Sequence, residues 1–348
     1  MRGRTIKRFA VLAGVFVLSL AVVMVSAGLG LAEQKVYKLK CPTIYPAASP
    51  SYAGSVLRVA KLLKERSNGR LIVEPFTSGA LIPSKEIFNA VERGMVPMGV
   101  SVARYFVAKV PLGRVAGGLP FSFGSPIEAE YFYKNLGYEK MLQDVILKKY
   151  KMYSWIDRVY PTELAMKKCV TTVADFKGVK LRSSGTIQKL LTKLGAAASY
   201  LPGSEVYPAL SSGVVDGAHW GGAMSNNDMG FYEICKYHLS PALVYAGTDL
   251  WLFNKKAFDS LPKDLQAIIT STIEEHFWTR TAEYTIQNDV ALAKIQKDKG
   301  VKVCTLTPAA QKEITKAAVD LWKEEASDPE TKKAVNMLIK YLQELGRL

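Results

Sequence analysis

Histidine and cysteine are scarce in this chain, with three and four residues respectively among 348. His219, His238 and His276 are too scattered for a zinc site of conventional spacing. Four cysteines are too few for a disulfide-dense miniprotein. Long apolar runs are lacking everywhere but at the N-terminus, which excludes a polytopic membrane protein. Acid is in deficit, with 31 Asp and Glu against 46 Lys and Arg. The basic residues nevertheless follow helical patterns such as KLLKERSNGR (61–70) and form no arginine-rich arm interleaved with aromatics, so no nucleic-acid partner is expected. Also missing are G-x-x-x-x-G-K-S/T, H-E-x-x-H, C-x-x-C and G-x-S-x-G, and with them the short signatures of nucleotide, metalloprotease, redox and nucleophile-elbow sites.

What is present is an ordinary globular balance, 49% hydrophobic and 22% charged, long enough for two lobes that each bury a core. Residues 1–8 carry Arg2, Arg4, Lys7 and Arg8 with no acid, and an apolar, small-residue run follows from Phe9 to Ala32. This pattern reads as a secretory signal cleaved after Ala32, which places the mature protein in the periplasm. Removing the signal leaves 42 basic and 31 acidic residues, a net +11 that draws anions mildly. In an oxidising compartment Cys41, Cys169, Cys235 and Cys304 admit two bridges in three pairings. Buried free thiols fit equally well, because Cys41 and Cys304 sit in apolar strand-like runs.

Strands are expected at 36–44, 70–76, 97–103, 151–156, 163–168 and 179–182, alternating with helices at 49–66, 84–93, 125–150 and 186–194. That alternation predicts an α/β protein with parallel sheets and crossover helices. Beyond Pro262 two long amphipathic helices are expected, 262–298 and 308–345, separated by the strand GVKVCTL. One unit occurs twice: EIFNAVERGMV (86–96) and EVYPALSSGVV (205–215) share Glu, aromatic, Ala, Gly and Val positions 119 residues apart, each leading into a small-residue strand. The echo predicts two similar lobes with a ligand cleft between them.

Arg182 closes the strand VKLR and precedes Ser183-Ser184-Gly185, which open a helix. Ligands of parallel sheets bind beyond the carboxyl ends of strands, where helix N-termini present free N–H groups. An arginine there can hold a carboxylate with two parallel hydrogen bonds. Trp220, among small residues at a strand's end, and Tyr105 and Tyr45, each following a strand, are candidate apolar walls.

These segments resemble a known family. DFKGVKLRSSGTIQKLLTKLGA, LPGSEVYPALSSGVVDGAHWGG and LWLFNKKAFDSLPKDLQ, with SNGRLIVEPFTSGAL, EIFNAVERGMVPMGVS and LPFSFGS before them, are similar to the solute-binding proteins of TRAP (tripartite ATP-independent periplasmic) transporters. The resemblance covers essentially the whole mature chain and is nearest the subgroup for 2-oxo and 2-hydroxy acids. It implies a two-lobed periplasmic-binding-protein fold with a hinge cleft and long C-terminal helices packed across both lobes. Lobe 1 would comprise 33–159 plus about 248–288, and lobe 2 would comprise 160–247 plus about 289–348. The implied function is non-enzymatic capture of a small organic acid for an ion-gradient-driven membrane permease. Arg182 falls on the family's carboxylate clamp and Trp220 on its aromatic wall; His219 with Thr162 or Glu163 would add polar contacts. The subgroup's ligand-bridging metal ion uses a Glu just before the Trp and a Gln about twenty residues before the Arg. Here these positions hold His219 and the Pro161–Glu163 segment, so no cofactor is expected, with a ligand-bridging metal ion as the alternative. Sialic-acid-type members carry a second Arg near Thr162, which is also missing. Family members occur as monomers and dimers, leaving a homodimer open. The rival readings are an exported hydrolase-like enzyme using the same cleft and a membrane-tethered sensor or scaffold subunit.

Overall fold

Apolar runs too short for helices become buried strands in this chain. The structure, a computed structural model, describes residues 34–348, so the export signal expected at 1–32 lies outside the described residues. Among those residues the strands are β1 (Tyr37–Pro42), β2 (Leu71–Phe76), β3 (Met98–Val102), β4 (Met152–Thr162), β5 (Leu164–Met166), β6 (Lys180–Arg182), β7 (Ala197–Ser199), β8 (Gly217–His219), β9 (Tyr237–Ser240), β10 (Val244–Asn254) and β11 (Lys302–Thr305). The helices used below are α1 (Arg58–Arg66), α2 (Ile87–Glu92), α3 (Tyr138–Tyr150), α4 (Gly185–Lys193), α5 (Gly203–Ser211), α6 (Ala223–Asp228), α7 (Lys263–Lys299), α8 (Pro308–Glu325) and α9 (Pro329–Glu344). Residues 38–348 form one compact unit.

Two larger sheets organise that unit. One has the order β3-β10-β4, the other β11-β9-β5-β8-β6-β7, and β1 pairs with β2 beside the first through a Thr43–Val100 bridge. The α/β class agrees with the expectation, but neither sheet is parallel throughout: the first is antiparallel and the second is mixed. β10 runs antiparallel to both its neighbours, and β5 runs antiparallel to β8 and β9. The physical reason is that the chain passes between sheets as extended strand. β4 continues through Glu163 directly into β5, and β9 returns through a short turn into β10. A strand that arrives without a crossover helix pairs antiparallel with what it meets. Parallel pairing persists where helices do intervene, in β6–β7, β6–β8 and β9–β11.

The repeated sequence unit is a repeated structure. α2 buries Ile87, Ala90 and Val91, then Gly94 turns the chain at φ 71° into β3. α5 buries Val206, Ala209 and Leu210, then Gly213 turns at φ 79° toward β8. Both glycines hold the left-handed conformation that ends a helix and that a side chain would strain. One copy feeds each large sheet.

α7 ties the two sheets together. Its Thr281 hydroxyl accepts from the Val159 N–H of β4 at 3.0 Å, and two turns on Asn288 accepts from Met224 N–H of α6 at 3.1 Å. The single helix expected at 308–345 is instead two. Asp328 accepts from Thr331 N–H at 3.0 Å with Pro329 behind it, a cap and N1 proline that start a new helix. Cys169 and Cys304 are bridged, joining the segment after β5 to β11, whereas Cys41 and Cys235 are buried free thiols. The strand-like surroundings of Cys304 therefore did not keep it free: the backbone of the 167–171 segment hydrogen-bonds beside β11, through Thr307 N–H to the Thr171 carbonyl, and holds Cys169 within reach.

Candidate functional site

Arg182 is the last residue of β6, flanked on either side by the parallel strands β7 and β8. Its position at the carboxyl end of that parallel set points it out of the sheet, where strand-end loops gather. The guanidinium is 3% exposed, yet among the described residues no acid lies within ion-pairing distance. Nε donates to the Leu201 carbonyl at 3.0 Å and Nη1 to the His219 carbonyl at 2.6 Å. Its plane stands over Trp220, 4.7 Å from the ring centre. Burial holds its pKa down to about 10, with Arg104 adding like-charge repulsion, so it stays charged at neutral pH.

The loops at the ends of β1, β3 and β8 converge on this guanidinium. They enclose a cavity of about 50 Å³ whose wall includes Tyr45, Arg104, Tyr105, Arg158, Arg182 and Trp220. Four of the sequence candidates, Arg182, Trp220, Tyr105 and Tyr45, are thus brought to one cavity. Tyr45 is fixed there by its hydroxyl, 2.5 Å from Asp249 Oδ2. Tyr105 also meets Tyr200 edge-on, 6.4 Å between ring centres.

His219, Thr162 and Glu163 are not in the wall. They lie behind it, where the chain switches sheets. His219 is buried, with Nε2 2.8 Å from Thr162 Oγ1 and Nδ1 3.4 Å from Ser183 Oγ. Burial, with Arg104 and Arg182 nearby, pushes its pKa down to about 3, so the ring is neutral. Its backbone carbonyl, not its ring, serves the site by receiving Arg182. Glu163 caps α6 by accepting from Ala223 N–H at 2.5 Å and also receives the Asn288 amide at 3.3 Å. Burial pushes its carboxyl up to about 7.

Sequence reasoning missed Arg104, Arg158, Tyr160 and Asp249. Arg158 is buried and hydrogen-bonded to Asp157, to Ser51 Oγ at 2.6 Å and to Ser55 Oγ at 3.1 Å, with Asp249 Oδ2 3.4 Å away. Asp249 also accepts from Tyr160 at 3.0 Å. The signal was legible: Asp157-Arg158 and Asp249 interrupt otherwise apolar strands, and buried charges occur only when paired or in use. Arg104 follows β3 as Arg182 closes β6, so the strand-end criterion applied to one covers the other.

Two arginines that make no salt bridge among the described residues thus line one small cavity. The model of the bacterial extracellular solute-binding protein family 7 matches residues 43–328. The monocarboxylate 2-oxoacid-binding periplasmic protein of Nostoc sp. strain PCC 7120 is 28% identical over 292 residues, 82% of this chain and 78% of that protein. A TRAP periplasmic solute-binding protein from Pseudoalteromonas atlantica, solved with sodium and pyruvate, superposes with a TM-score of 0.82 at 26% identity, covering 90% of this chain and 95% of the other. A counterpart from Colwellia psychrerythraea, solved with calcium and pyruvate, gives 0.80 at 28% identity over 90% and 96%.

Proposed function

This chain belongs to the bacterial extracellular solute-binding proteins of family 7, and we propose that it captures a small organic acid between its two large sheets, anchored on Arg182, and hands it to an ion-gradient-driven TRAP membrane permease. The family is one of binding proteins that work outside the cytoplasm. The single observation that carries the ligand assignment is a buried guanidinium with no acid to balance it, opening on a cavity. A charge kept that way is costly until an anion arrives. Trp220, Tyr105 and Tyr45 form the walls, while Thr162, His219 and Glu163 hold the wall in place from behind. We assign lobe 1 to 33–159 plus about 248–288 and lobe 2 to 160–247 plus about 289–348, with export by a signal ending at Ala32. The role is capture and release without catalysis.

Thermal unfolding of residues 33–348 against a carboxylate panel tests this. A ligand at a hundred times its dissociation constant adds about 2.7 kcal/mol of stability. Arg182→Ala removes a charged contact worth about tenfold or more in affinity, which cuts the shift at the same ligand concentration by about half or more. A shift of undiminished size in Arg182→Ala removes Arg182 from the site, and turnover of the bound acid defeats the binding-only role.

A further inference from the structure

Arg182 is not the only unbalanced cation in this cavity. Arg104, at the end of β3, lines the same wall, and among the described residues no carboxylate lies within ion-pairing distance of it either. One Nη1–H goes to the Gly117 carbonyl at 3.2 Å, and burial, which disfavours its charge, is outweighed by Tyr160, Tyr105 and Asp249 nearby. Among the described residues the guanidinium makes no other side-chain hydrogen bond, which leaves donors for a ligand. Of the three arginines in the wall, Arg158 alone is paired, with Asp157 and Asp249. Three guanidiniums against those two aspartates leave one positive charge for the ligand's carboxylate to cancel.

The donor set does not fit a bound cation. Asp249, the one carboxylate in the wall, already accepts from Tyr45 and Tyr160 and faces Arg158. Glu163 is spent on the N-terminus of α6, and both ring nitrogens of His219 are engaged behind the wall. No group of three or more His, Cys, Asp and Glu able to hold a metal occurs among the described residues. A further cation would also enter a pocket that is already positive, and like charges at such range repel strongly in a buried site.

We propose that Arg104 is the second anchor of the ligand and determines its class: a small acid whose carboxylate meets Arg182 while a further oxygen acceptor, a 2-oxo, 2-hydroxy or second carboxylate group, meets Arg104. Binding then needs no metal ion, although two relatives were solved with sodium or calcium and pyruvate bound. This rests on the organic-acid function above and deepens it.

The test is calorimetric titration of the full mature chain, refolded to strip carried-over ligand, with pyruvate, malate, pyroglutamate and picolinate. Each runs in a sodium-free buffer with chelator and again with sodium and calcium. The acid that binds keeps its dissociation constant within about twofold between the two buffers. Arg104→Gln weakens it by about tenfold or more, and Arg104→Lys, which keeps the charge, loses less. Dichroism and unfolding of each variant establish that it is folded, and the buffer comparison on the unaltered chain stands independently of them. Affinity that collapses under chelation, or an Arg104→Gln protein that binds as well as wild type, overturns the inference while Arg182→Ala still reports on the organic-acid function. Failure of all four acids in the unaltered chain takes both down together.

Discussion

The guanidinium of Arg182 lies 4.7 Å from the ring centre of Trp220 and is held there by the carbonyl of His219, the residue just before that tryptophan. Strand β8 therefore positions both the charge and its aromatic cover. The contact keeps water from the guanidinium without neutralising it, which leaves an anion as the natural complement.

Arg158 and Arg182 are expected to respond to the same substitution in opposite ways. Arg158 balances Asp157 and Asp249, so Arg158→Met strands two buried carboxylates and costs about 3–5 kcal/mol of stability. Arg182 balances nothing, and its depressed pKa marks a charge the fold disfavours. Arg182→Met therefore keeps the ligand-free melting temperature near or above that of wild type while binding is lost. Calorimetric scans of both variants without ligand decide the point; equal destabilisation would mean that Arg182 also serves the fold.

Gly203, at the start of α5, backs the Trp220 ring so closely that a Cβ there would collide with it. Gly203→Ala is expected to push the ring toward the cavity and weaken ligand binding by about tenfold, with a loss of stability of about 1–3 kcal/mol from overpacking. Titration of the variant with the ligand found for wild type checks this. Unchanged affinity would show that the wall can give way without consequence.

The elements that could be read along the chain were those written locally. The repeated α2 and α5 units were visible because Gly94 and Gly213 mark the same helix end, and Arg182 because it closes a strand before a helix-opening Ser-Ser-Gly. The antiparallel pairings were not visible, since nothing in β4 says that it will run past Glu163 into a second sheet. Arg104 and Asp249 each carried a local mark, a strand-end position and a charge inside an apolar strand, but that they meet at one cavity depends on which strands become neighbours, a fact set by packing far along the chain. Thr162, Glu163 and His219 were expected at the ligand from the resemblance, and all three lie behind the wall. The pleat turns adjacent side chains to opposite faces, so Trp220 faces the cavity and His219 does not.

Cys169 and Cys304 close a loop of 135 residues, large enough for the chain-entropy model to assign about 5 kcal/mol to the bridge, against the 2–4 kcal/mol typically measured. The Cys169→Ser, Cys304→Ser double variant is expected to unfold at a denaturant concentration lower by the equivalent of about 2–4 kcal/mol. Thiol titration under denaturant gives two free thiols before reduction, from Cys41 and Cys235, and four after. Four before reduction would rule the bridge out.

Glu163 offers a pH dependence whose sign can be worked out. Its carboxyl is pushed up to about 7 by burial, against the opposing hydrogen bonds from Asn288 and Ala223. Unfolded, it titrates near about 4.3, so between roughly pH 4.5 and 7 the folded state binds more protons and stability falls as pH rises, by on the order of 3 kcal/mol in all. Two neighbours slope the other way. His238 lies 3.9 Å from Glu163 with its pKa pushed down to about 4, and His219 is pushed down to about 3. As bases with depressed folded values they lend stability that is lost as pH falls through roughly 6 and below. The net profile mixes the two, so the informative quantity is the difference between wild type and Glu163→Gln. Glutamine still accepts from the Ala223 N–H but carries no charge to bury. The variant's melting temperature is therefore expected to gain on wild type steadily from about pH 5 to about pH 7 and to hold that advantage above it. A difference that stays flat over this range would mean that Glu163 is ionised throughout, and that the N-terminus of α6 stabilises its charge more than burial opposes it.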